Sequence, residues 1–176
     1  MIFWEQQKFY KTDYEYQFFH GFYFGVLALV IFIFFFFYLL LREITFLYYI
    51  VYVFFQFMLQ FSLEGFTFQY FFPNNTYLAN NSVLISACGA LFFLILYAKN
   101  FLKVPIRLPK WNTFYKIILL GTCFVFLFSL LPGVLQEFSY PIINIISLIG
   151  TVSIIAAIFV LKNKGYKVSN AFAVDL

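Results

Sequence analysis

The chain has 176 residues, of which 64% are hydrophobic, 26% aromatic and only 10% charged, with a formal net charge of +4. A water-soluble fold covers itself with about 25% charged residues, so lipid has to be the solvent for most of this one. The basic residues sit in short clusters between apolar runs, which is a topological pattern and excludes nucleic acid as a partner.

Residues 1–19 mix Glu5, Lys8, Lys11, Asp13 and Glu15 with aromatics. No small-residue cleavage site precedes a short apolar core, so no signal peptide is removed and the stretch reads as an extracytoplasmic tail. Five apolar segments follow, at 20–41, 46–64, 82–99, 113–131 and 141–161. Each is close to the roughly 20 residues that a helix needs to cross ~30 Å of hydrocarbon. The run "VLALVIFIFFFFYLLL" does not alternate as a barrel strand would, so residues 20–161 predict an all-α, polytopic transmembrane bundle. Pro141 is expected to open the fifth span, and the other prolines lie in the connectors. Residues 162–176 read as a cytoplasmic tail or the start of a sixth helix cut short.

Lysine and arginine set the orientation. Arg42, then Lys99, Lys103, Arg107 and Lys110, then Lys162, Lys164 and Lys167 occupy the connectors at 42–45, 99–112 and 162–168, whereas those at 65–81 and 132–140 carry none. The N-terminus is therefore expected outside and the C-terminus inside, in a multi-pass protein of a bacterial inner membrane. Heavy use of Phe, Tyr, Ile, Asn and Lys fits an AT-rich bacterial genome.

On the second span Gln56, Gln60 and Glu64 recur every four residues and share one face. They read either as a polar seam that relays a signal, or as two interhelical glutamines and a solvated terminal carboxylate. Next comes "LEGFTFQYFFPNN" at 63–75, whose rings suit an aromatic belt before Pro73 and the asparagines turn the chain. Gly65 and Gln69 join the relay candidates here. Asn74-Asn75-Thr76 and Asn80-Asn81-Ser82 match the glycosylation sequon, which matters only in a eukaryotic secretory pathway.

Gly21-xxx-Gly25 in the first span, and Ser82, Ser86 and Ala90 in the third, have the spacing that lets backbones approach closely; the glycines permit a homodimer or packing within one bundle. Asn144, Ser147 and Thr151 share a face of the fifth span and read as interhelical glue. Cys88 and Cys123 fall inside apolar runs without metal-ligand neighbours, so no metal or redox cofactor is expected. His20, the one histidine, stands at the outer boundary without an evident partner. With no catalytic motif, no phosphate loop and no intramembrane ion pair, the chain is not expected to be an enzyme or to need a cofactor.

Several spaced features together resemble the membrane domain of bacterial seven-transmembrane receptors with diverse intracellular signalling modules. The likeness runs through Gly21-Phe22-Tyr23-Phe24-Gly25 and "LREITFLYYIVY", with Leu47, Tyr48 and Tyr49. It continues through Gly65, Phe68, Gln69, Tyr70 and Pro73, then Phe101, Leu102 and Pro109 of "FLKVPIRLP", and Gly165, Tyr166, Lys167 and Ala171 of "KGYKVSNAF". It covers residues from about 18 to the end, as a bundle truncated after its fifth helix. The resemblance implies a receptor-type module that relays an extracytoplasmic signal to a cytoplasmic output, with the output domain supplied in cis or by a partner in trans. It also implies that the 63–75 stretch ends the second helix beneath a sensor. The alternative is a small standalone helical membrane protein, such as a transporter or an accessory subunit.

Overall fold

The structure, a computed structural model, describes the backbone of residues 2–130 and 134–163 and the side chains of 18–75, 77–78, 81–130 and 138–163. Lys164, Lys167 and the 164–176 part of the tail lie outside the described residues. Six helices appear in order: α1 (Ile2–Leu41), α2 (Ile44–Leu63), α3 (Thr76–Phe101), α4 (Val104–Arg107), α5 (Pro109–Ser129) and α6 (Val134–Asn163). A π-helical turn, Thr67–Phe71, links α2 to α3, and no strand occurs among the described residues. The fold is all-α. Five helices contain stretches long and apolar enough to cross a membrane: Phe18–Leu41, Ile44–Leu63, Asn81–Phe101, Pro109–Ser129 and Phe138–Asn163.

The predicted spans coincide with these helices, but the helices run further. α1 begins at Ile2, so residues 2–17 of the expected tail continue the first span without a break. Asn75 starts α3 by accepting a hydrogen bond from the Leu78 amide on its side-chain oxygen, well ahead of the apolar run. Pro141 does not open the last helix as expected but lies inside α6. Its missing amide costs one ladder bond, which a membrane helix tolerates when its neighbours satisfy the freed carbonyl.

The 99–112 connector is structured rather than loose. Leu102, Val104 and Leu108 alternate with Lys103 and Arg107, and all three apolar side chains are buried. Pro105 and Pro109 sit in the first turns of α4 and α5, where the absent amide has no partner to lose. The left-handed backbone at Arg42 (φ 52°) and Lys103 (φ 47°) turns the chain at this end. Arg42, Lys99, Lys103, Arg107, Lys110 and Lys162 all flank helix ends on this side of the bundle. It is called the basic end below, and the opposite one the Glu64 end.

The core lies between α3, α5 and α6. Leu84, Cys88, Leu91, Ile95, Tyr115, Ile118, Val125, Ile143, Ala157 and Leu161 form one buried cluster. Tyr115 is fully buried and its hydroxyl donates to the Ser153 carbonyl. α2 packs along α3, with the Phe55 ring stacked on Phe93 and set against Gly89. A Cβ at Gly89 would lie 2.4 Å from the Phe55 ring, so only glycine admits it. Ser86 and Ala90 are buried on α3 too. α1 packs on α2, and no residue of its most apolar stretch is buried.

Candidate functional site

The residues singled out on α2 divide between two places. At the Glu64 end, Glu64 caps α2 and its Oε1 accepts from Gln60 Nε2 at 2.9 Å, while His20 Nε2 of α1 lies 2.7 Å from the same oxygen. His20 and Glu64 keep only 20% and 15% of their side-chain exposure, so the contact is largely shielded. Glu64 is therefore not the solvated terminal carboxylate of one sequence reading, and His20 is not isolated. A carboxylate at membrane depth is costly unless paired, and this one has two partners. The signal was present in the sequence. His20 and Glu64 stand nearly the same number of residues from the Arg42–Glu43 turn, and equidistant positions meet across a helical hairpin.

Gly65 follows with φ +78°, a conformation that glycine adopts without a steric cost. It reverses the chain out of α2, its amide donating to the Ser62 carbonyl and its carbonyl accepting from the Gln69 amide. The π-helical turn then closes with the Phe72 amide on the Thr67 carbonyl. Beneath it, Ser62 Oγ donates to the Met58 carbonyl and meets Thr67 Oγ1 at 2.9 Å, and Ser82 of α3 donates to Ser62. The opening of α3 is thus tied to the end of α2 by hydroxyls. Gln69 has an exposed side chain and stays out of the cluster.

Rings surround these polar contacts. Phe24 of α1 faces Phe57, Phe61 and Phe66 at 5.0, 6.1 and 6.4 Å between centroids, and Phe61 also meets Tyr70 and Phe71. The aromatics of the 63–75 stretch therefore pack on α2 and α1 as well as facing outward. Farther along the same seam Phe34 lies 4.1 Å from Tyr49, and Phe37 stacks on Phe46.

Gln56 belongs elsewhere. It lines a cleft of about 260 Å³ between α2, α3 and α6, which also takes Asn144, Ser147 and Thr151 of α6. Two polar faces that the sequence presented separately thus look onto one space. Gly21 and Gly25 have open space at their missing Cβ positions, so no other helix of this chain packs closely there.

At the basic end Asn100 Nδ2 donates to Thr45 Oγ1, joining the start of α2 to the end of α3. Tyr77 hydroxyl donates to the Leu130 carbonyl at the opposite end, joining α3 to α5.

No curated protein and no solved structure matches the chain. The family model described as 7TM diverse intracellular signalling matches residues 16–174, almost the whole length. With five membrane-length apolar helices on top of that match, the chain is a multi-pass membrane protein and belongs to the 7TM diverse intracellular signalling family.

Proposed function

We propose that the chain is the transmembrane relay of a receptor-type signalling protein, carrying a displacement at the Glu64 end to an output at the basic end. The positive-inside rule assigns the basic end to the cytoplasm of a bacterial cell and the Glu64 end to the extracytoplasmic side. The output is a cytoplasmic domain or partner, in cis or in trans, and the relay itself carries out no catalytic step.

The observation that supports this reading is the attachment of α1. It leans on α2, and its polar tie to the bundle is the His20–Glu64 contact braced by Gln60. α2 continues from that tie to Thr45, which meets Asn100 of α3 at the far end. A shift of α1 therefore reaches the basic end through one stiff helix.

The test uses the full chain in phosphatidylcholine vesicles, spin-labelled through Arg42→Cys and Lys99→Cys with Cys88 and Cys123 changed to Ala. His20→Ala should change the distance distribution between the labels, and His20→Gln, which keeps a donor, should largely restore it. An identical distribution in all three chains overturns the relay. For the orientation, a membrane-impermeant maleimide should label Asn74→Cys in intact cells and Lys103→Cys only after permeabilisation; the reverse would invert it.

A further inference from the structure

The cleft between α2, α3 and α6 holds an unresolved polar demand. Gln56 and Asn144 present two carboxamides to it, and among the described residues neither side chain has a hydrogen-bond partner. Ser147 and Thr151 add hydroxyls, of which Thr151 is already spent on the Ser147 carbonyl of its own helix. By helix rise Gln56 lies about 12 Å along α2 from Glu64, well inside the ~30 Å hydrocarbon layer. No water is at hand there, and a carboxamide left unpaired in hydrocarbon is expensive.

The shape of the site says what kind of group answers it. α2 and α6 run along its two sides, and α3 forms the floor with Ala90 and Leu91. Ala90 is small, which lets an incoming backbone approach closely. The lining contains no charged side chain, so the occupant is neutral. Asn144 and Thr151 are exposed, so the cleft opens sideways into lipid rather than toward either end. A groove between two helices above a third, open along its length to the bilayer, has the form of a helix seat. The family is described by seven membrane passes, and five membrane-length helices occur among the described residues.

We propose that this cleft seats a further transmembrane helix that presents a neutral hydrogen-bonding side chain, a carboxamide or a hydroxyl, to Gln56 and Asn144. The carboxamides are complementary to such a group in both directions, since each donates and accepts. The proposal does not rest on the His20–Glu64 relay, because the cleft lies on the opposite flank of α2 from α1.

The test reconstitutes the full chain in phosphatidylcholine vesicles with a labelled polyleucine transmembrane peptide carrying one central Asn, and reads association by energy transfer. An otherwise identical all-leucine peptide serves as the control. The Asn peptide should associate roughly threefold to tenfold more tightly than the control for each hydrogen bond gained. Asn144→Leu combined with Gln56→Leu should erase that difference, and Asn144→Gln should keep most of it. Thermal unfolding of the doubly substituted chain without peptide should be unchanged or slightly raised, because its amides had no partner to lose. Equal binding of the two peptides overturns the proposal. So does an Asn preference that survives the double substitution. Energy transfer between copies of the chain that is abolished by Asn144→Leu would assign the face to a second copy instead, and likewise overturns it.

Discussion

The α1–α2 hairpin and the α3–α5–α6 core solve the same problem in lipid by different means. The core packs aliphatic side chains and small residues into a buried cluster around Tyr115. The hairpin is held by large rings at centroid distances of 4.1 to 6.4 Å, with one polar contact at its end and no buried residue along the most apolar part of α1. Lipid tails solvate a phenylalanine about as well as another phenylalanine does, so the rings gain mainly dispersion and geometry from meeting. Close packing around small residues gains more, because it removes voids that lipid cannot fill. The difference teaches that α1 can change position while the core stays intact.

The sharpest way to break that contrast is Tyr115→Ala. It empties the centre of the core and strands the Ser153 carbonyl's partner, and should lower stability in detergent by about 3 kcal/mol with all helices melting earlier. Only a small loss would show that the core is no firmer than the hairpin. Phe24→Ala should do the opposite: it removes three ring contacts, costs about 1–2 kcal/mol locally, and speeds hydrogen exchange in α1 while α3 and α5 exchange as before. Gly65→Ala should cost about 1 kcal/mol, because alanine is strained at φ +78° although open space surrounds the new methyl. Its effect should appear as faster exchange at the end of α2 and in the π-helical turn, and a change confined to α5 or α6 would contradict that. The smallest effect belongs to Asn100→Ala, which removes an exposed hydrogen bond to Thr45 and should shift unfolding by less than about 1 kcal/mol.

The number and placement of the spans were legible because a membrane imposes length and hydropathy on every crossing. Helix ends were less so. Those of α3, α5 and α6 lie outside the apolar runs, where Asn75 and Pro109 decide the start and Pro141 proves compatible with an interior position. The π-helical turn left no pattern to read, since "TFQYF" suits an α-helix, a strand or an interfacial belt equally. Gln60 and Glu64 were found by their spacing, but His20 needed pairing across the hairpin rather than along one helix. The grouping of Gln56 with Asn144 needed more still, because the order in which helices surround a cleft is a tertiary fact. Gly89 escaped notice for a related reason: a single glycine among small residues acquires its meaning only when Phe55 lies over it.

The length of α1 has a mechanical consequence. Its 40 residues make a rod of about 60 Å, roughly twice the thickness of the hydrocarbon it crosses. His20 stands almost at the midpoint of that rod, and a hydrogen-bonded pair fixes a point more firmly than rings that can slide on one another. A rod held near its centre is a balanced lever. A sideways push on the Ile2 tip returns at Leu41 with similar amplitude and opposite sense, and nothing in between has to unfold or slide along the membrane normal.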